Sequence, residues 1–138
     1  MTGIPDLGVP QGSILGPLLF VLYVNDLENN INVDFLAMYA DDTSVAICDN
    51  DIETLKFKVN TVVCNFIKWC DANHLFVNVD KTVCILFNNN LRSLDLTFKC
   101  GDYILTPSNA TKFLGIILDN QISWKTQVYY VYSRLNKV

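Results

Sequence analysis

Histidine, basic charge and long apolar runs are all scarce in this chain, and each scarcity excludes something. His74 is the sole imidazole, and the five cysteines (Cys48, Cys64, Cys70, Cys84, Cys100) contain no C-x-x-C pair, so no zinc-ligand spacing exists. Their odd number and their placement mostly inside apolar runs read as buried thiols in a reducing compartment, not as disulfides. Ten basic residues against fourteen acidic ones give a net charge of -4. That balance excludes a chain that binds nucleic acid by bulk charge, so any basic groove is expected from elsewhere. The longest apolar run, Ile14 to Val24, is about half of what a membrane span requires and is interrupted by Gly16-Pro17. It reads as a core helix, with no membrane partner. No basic leader with an apolar stretch and cleavage site opens the sequence, so nuclear or cytoplasmic residence is expected.

What the chain has in surplus is apolar side chain: 51% hydrophobic residues against 17% charged. At 138 residues it is one domain or one piece of one, and part of its apolar surface anticipates a partner. Turn-forming Gly and Pro crowd the opening twelve residues, which read as a loop. Ser13 as cap and Pro17 in the first turn then start a helix that runs to Leu27, apolar nearly all round and hence deeply buried. Residues 33–39 and 43–48 form a hairpin of buried strands. Asn50 with Glu53 resembles a capping box, and Ile52, Leu55, Val59, Val62, Val63, Phe66, Trp69 and Cys70 follow at spacings of three and four, predicting an amphipathic helix on a sheet. Leu75 to Val79 is a short extended piece and Thr82 to Phe87 a strand, followed by an Asn88–Asn90 turn. Further strands are expected near 94–99, 102–105 and 110–118, then a helix capped by Ser123. The order predicts an α+β fold, an antiparallel sheet with helices packed on one face.

The hairpin tip raises the question of chemistry. It reads Met38-Tyr39-Ala40-Asp41-Asp42-Thr43, two adjacent carboxylates between apolar strands. Aspartate is a good turn residue, and a turn is the plain reading. Strand side chains alternate faces, so neighbouring carboxylates share a site only where a tight turn breaks the alternation. Two carboxylates about 5 Å apart repel by roughly 3 kcal/mol at an effective dielectric near 20, a cost that a hard divalent cation between them reverses.

Around this tip stand four blocks. Gly8-Val9-Pro10-Gln11-Gly12-Ser13, Leu15-Gly16-Pro17-Leu18-Leu19-Phe20, and Tyr23, Asn25, Asp26, Leu27 make the first; Tyr39-Ala40-Asp41-Asp42 the second. Trp69, Asn73, Leu75, Asn78 and Lys81-Thr82 make the third; Phe113-Leu114-Gly115, Leu118-Asp119 and Trp124 the fourth. In content and order they resemble the reverse transcriptases (RNA-directed DNA polymerases) of non-LTR, LINE-like retrotransposons. The resemblance covers nearly the whole chain.

It implies the C-terminal part of a polymerase palm over residues 1–120 and the start of a thumb helix over 121–138. Asp41 and Asp42 would be the metal ligands and, with Lys81 as proton donor to pyrophosphate, the catalytic residues. Two Mg²⁺ ions (Mn²⁺ as a substitute) would serve the complete enzyme. Gln11, Gly12, Tyr39 and Ala40 would face the nucleotide or template, with Tyr39 packed beneath the turn, and Phe113, Leu114 and Gly115 would form the primer grip. RNA template, DNA primer and dNTPs would be the partners. Asp26, late in an apolar helix, reads as a capping or surface residue. Gln127 stands where many relatives have histidine, a departure that touches packing. The family's further aspartate belongs upstream of the Gly-Val-Pro-Gln-Gly-Ser block, and Asp6 does not replace it; the fingers and upstream palm are missing as well. The isolated chain is therefore expected to be inactive. The rival reading is a non-catalytic transposon remnant that binds another protein through its apolar surface.

Overall fold

The structure is a computed structural model that describes residues 12–87, 96–101 and 103–136. Its class is α+β, with helices and small antiparallel sheets, divided into two compact units, Met1–Leu75 and Phe76–Val138. The expected single sheet is not what the described residues form: they make three separate two-stranded ladders.

In the first unit, α1 (Gly16–Val24) begins with Pro17 in its first turn, where the missing N–H costs nothing. Leu15 occupies the cap position without a side-chain bond, and Ser13 contributes only its carbonyl, accepting the Gly16 N–H at 3.3 Å. The helix is shorter than expected and, apart from Val24, not buried; Leu18, Leu19, Val21 and Leu22 are exposed. An apolar run predicts burial only where another element covers it. A single turn, α2 (Leu27–Asn30), follows and packs on α3 (Ile52–Ala72). Among the described residues, Val24, Leu27, Ile31, Val62, Ile67, Trp69 and Cys70 are the buried ones of this unit. Leu27, almost fully enclosed, contributes roughly 2 kcal/mol by apolar burial.

Helix α3 starts one residue later than the capping-box reading. Asp51, in extended conformation, is the cap, and its carboxylate accepts the Thr54 N–H and hydroxyl, both at 2.8 Å. Those bonds hold Asp51 below the usual carboxylate range. The C-terminal end is a Schellman closure: Leu75 N–H donates to Cys70 O at 2.8 Å and His74 N–H to Asp71 O at 3.2 Å, with His74 left-handed at φ 53°.

The hairpin is β1 (Phe35–Tyr39) paired antiparallel with β2 (Asp42–Ala46) in the register Tyr39↔Asp42 to Phe35↔Ala46. Its strands were expected to be buried; Phe35, Met38, Tyr39 and Val45 are exposed. Alternation specifies a strand but not what lies over it.

In the second unit, a 3₁₀ turn (Val79–Lys81), capped by Asn78, takes only the last residue of the piece expected to be extended, Leu75 to Val79. Residues 82–87 form no strand beyond a single bridge, Cys84 to Pro107. The Asn88–Asn90 turn lies outside the described residues. Strands β3 (Phe98–Cys100) and β4 (Tyr103–Leu105) pair as a short hairpin, with Leu96 and Phe98 the buried side chains. The single strand expected at 110–118 is instead a hairpin, β5 (Ala110–Phe113) and β6 (Ile116–Asp119), folded at Leu114-Gly115. Helix α4 (Lys125–Leu135) packs on β6 and starts after Trp124 rather than at Ser123.

Cys48, Cys70 and Cys84 are free thiols as expected, but only Cys70 is buried; Cys84 is half-buried and Cys48 exposed. Burial raises the thiols of Cys70 and Cys84 above their ordinary range.

Candidate functional site

Tyr39, Ala40, Asp41 and Asp42 lie together at the tip of the β1–β2 hairpin, since register makes Ala40 and Asp41 the whole loop. A two-residue loop needs a positive φ, and here alanine supplies it at 53°. A residue with a Cβ in that conformation is strained by about 1 kcal/mol. Asp41 and Asp42 are exposed, and among the described residues neither carboxylate has a hydrogen-bond or ion-pair partner. Tyr39 is 69% exposed and pairs with Asp42 across the ladder, so it does not pack beneath the turn.

Gly12, just before α1, has φ +85° and open space where a Cβ would be. Only glycine adopts that conformation cheaply, and the free face leaves the backbone approachable. Gln11 lies outside the described residues.

Lys81 ends the 3₁₀ turn, exposed. The Asn-x-x-Lys-Thr pattern around it has a local cause. Asn78 Oδ1 accepts the Lys81 N–H at 3.2 Å, and Asn78 O accepts the Thr82 N–H at 3.0 Å and hydroxyl at 2.8 Å. Phe113 pairs with Ile116, while Leu114 (φ 45°) and Gly115 (φ 88°) are the two turn residues between them, the signature of a type I′ turn. The Phe-Leu-Gly block is thus a hairpin corner.

Two distant blocks meet in the first unit. Trp69 Nε1 donates to Asp26 Oδ1 at 3.1 Å, and the Tyr23 hydroxyl donates to the Asn73 carbonyl. Asn73 Nδ2 in turn donates to Trp69 O at 2.9 Å. Asp26, expected as a capping or surface residue, stands at the cap position of α2 without a side-chain cap bond, and its carboxylate acts instead as a brace between helices.

The carboxylate of Asp119 was not anticipated as a hub. It accepts from Gln121 N and Ser123 N at 3.0 Å each, from Ser123 Oγ at 2.9 Å and from Thr126 Oγ1 at 3.5 Å. The backbone bond from Ser123, with the others, holds it below the ordinary aspartate range. An aspartate with hydroxyl residues four and seven positions ahead was the available signal. Gln127 Oε1 accepts the Ile117 N–H at 2.8 Å and ties α4 to β6, so its role is packing.

These corners and braces fall on the four sequence blocks that resemble one family. Residues 5–118 match the family described as Reverse transcriptase (RNA-dependent DNA polymerase). The chain belongs to the reverse transcriptase family. A probable RNA-directed DNA polymerase from transposon X-element of Drosophila melanogaster is 28% identical over 135 residues, 93% of this chain and 14% of the relative. The RNA-directed DNA polymerase from mobile element jockey of Drosophila funebris is 27% identical over 130 residues, 89% of the chain and 14% of the relative. A probable RNA-directed DNA polymerase from transposon BS of Drosophila melanogaster is 30% identical over 125 residues, covering 85% and 14%. The reverse transcriptase resembled is thus of the non-LTR, LINE-like kind, and this chain spans 14% of the length of the relatives it matches. No solved structure matches the chain. No helix among the described residues is long and apolar enough to cross a membrane.

The reverse transcriptase family works with divalent metal ions. The donor set at the hairpin fits such ions in part: two hard, unpaired carboxylate oxygens sources at an exposed tip suit Mg²⁺. Among the described residues no group of three or more His, Cys, Asp or Glu gathers, so the tip supplies two ligand residues and no more.

Proposed function

We propose that this chain is part of a reverse transcriptase palm, with the start of a thumb at 121–138, and that the complete protein adds dNTPs to a DNA primer on an RNA template. The observation that carries the reading is the hairpin tip: Asp41 and Asp42, exposed and unpartnered, on a two-residue turn strained at Ala40. Strain of this kind marks positions where geometry serves something besides stability.

Asp41 and Asp42 would hold the ions, Mg²⁺ with Mn²⁺ as a substitute, Asp41 as the stronger ligand. When bound, a pair of such ions supplies a clamp on the attacking and leaving oxygens of an in-line phosphoryl transfer. The reaction joins the primer 3′ oxygen to the α-phosphorus of the dNTP and breaks its bond to pyrophosphate. Lys81, exposed on its Asn78-capped turn, would give a proton to that pyrophosphate. Gly12, with its open backbone face, and Gln11 would lie along the nucleotide or template with Tyr39 and Ala40. Phe113, Leu114 and Gly115 would support the primer end from their corner.

The two-ligand tip also supports the expectation that these 138 residues alone are inactive. Calorimetric titration with Mg²⁺, paired with primer extension on an RNA template, tests both statements. Binding by the chain, lost in Asp41→Asn, without extension is the expected result; binding unchanged by the substitution overturns the metal assignment, and extension overturns the inactivity.

A further inference from the structure

The β1–β2 hairpin carries its two carboxylates at the end of an arm that packing does little to steady. No residue of either strand is buried. Asp41 lies seven residues from Asp34 on one side and seven from Cys48 on the other. At about 3.3 Å per residue the tip therefore stands roughly 23 Å from the base, and a swing of about 10° at the base moves the carboxylates by roughly 4 Å. Misplacement by about 1 Å is enough to slow a positioned reaction roughly a hundredfold. What fixes the base fixes the tip.

The base is tied to α3 by a chain of polar bonds. Asp34, just before β1, accepts the Cys48 N–H on Oδ2 at 2.6 Å and donates its own N–H to Ala46 O at 3.2 Å, which closes the open end of the hairpin. Lys58 reaches back from α3 to the exit strand. Its Nζ donates to Asp49 Oδ2 at 2.8 Å and to Cys48 O at 3.4 Å. The other oxygen, Asp49 Oδ1, accepts the N–H of Asp51, the cap of α3, at 2.9 Å. Asp49 thus joins the cap of the helix to a side chain seven residues along it, and the same ammonium grips the backbone of the residue that Asp34 holds. The Lys58 ammonium, and after it the Asp51 N–H, hold Asp49 below the usual carboxylate range, and Asp49 raises Lys58 in turn. The two side chains are 45% and 18% exposed, Lys58 the more open. An ion pair so near water adds little to stability. Its effect is geometric: bonds from one ammonium and from the helix cap hold a direction that a short backbone link alone leaves free to swivel.

We propose that Lys58, through Asp49 and Cys48, is a positioning residue that sets the direction in which the hairpin presents Asp41 and Asp42. The use of that direction rests on the polymerase reading above; the anchor itself is tested without metal.

The test is measurement of backbone-amide residual dipolar couplings in the weakly aligned full chain, free of divalent ions. One alignment tensor is expected to fit α3 and the β1–β2 amides together. Lys58→Met is expected to scale the hairpin couplings down while those of α3, and the helical circular dichroism, stay as they were. Lys58→Arg, which keeps the charge and the reach, is expected to preserve the native couplings. Lys56→Met removes an equal charge, paired with Glu53 in the same helix, and is expected to change neither set. Hairpin couplings that keep full size in Lys58→Met, that shrink equally in Lys56→Met, or that are lost in Lys58→Arg overturn the proposal. Should Lys58→Met unwind α3, Asp49→Ala, outside the helix, carries the same test with the same two outcomes. Asp41→Asn is expected to keep the native couplings, so failure of the metal assignment and failure of the anchor are read separately.

Discussion

Asp26, at the head of α2, accepts the indole N–H of Trp69 in α3 at 3.1 Å across 43 residues of sequence. Trp69 is 7% exposed, so removal of its acceptor leaves a donor with little access to water. With the Tyr23 to Asn73 bond beside it, this brace fixes the end of α1 and α2 on the last turns of α3.

Asp26→Ala is expected to destabilise the chain by about 1–2 kcal/mol, and Trp69→Phe to remove most of that penalty when combined with it. Urea unfolding of the two single variants and the double closes the cycle. Additive losses would show that the bond carries no coupling.

His74 holds a left-handed conformation at the Schellman closure of α3, where glycine is the unstrained choice. His74→Gly is expected to raise stability by about 1 kcal/mol, seen as a higher urea midpoint at unchanged slope.

The β5–β6 corner makes the opposite prediction for its second residue. Gly115 at φ 88° tolerates no Cβ without strain, so Gly115→Ala is expected to cost about 1 kcal/mol or more. Leu114→Asn, at φ 45°, is expected to stabilise, since asparagine accepts the left-handed region better than leucine. Thermal unfolding of both variants checks the pair of signs.

Asp119 makes stability depend on acidity. Its folded carboxyl is held below its unfolded value by the donors around it, so its contribution is fully present above the unfolded value near 4 and is lost as pH falls through the lower folded one. Asp51, lowered by Thr54, adds to the same window. Melting temperature is expected to fall between about pH 4 and 2, less steeply in Asp119→Asn. An identical slope in the variant would remove Asp119 from the account.

The sequence disclosed the local signals well and the coverings poorly. The three-and-four spacing from Ile52 to Cys70 was a helix because periodicity is a property of one element. The α1 run and the β1–β2 strands were expected inside, yet they are exposed, because burial belongs to two surfaces and the sequence displays one at a time. The strand expected at 110–118 folds back because Leu114 takes a positive φ, which leucine does not advertise. At the candidate site, the tip carboxylates and the motif order were legible; the Asp119 hub and the Lys58 anchor of the hairpin depend on contacts that only the fold creates.

The measurement closest to the central claim is paramagnetic broadening of the amide spectrum by substoichiometric Mn²⁺. The account predicts that resonances of Tyr39 to Thr43 broaden first and that Asp41→Asn abolishes the effect. Broadening that begins elsewhere, or that persists at the tip in Asp41→Asn, would contradict it and leave the two aspartates as turn residues.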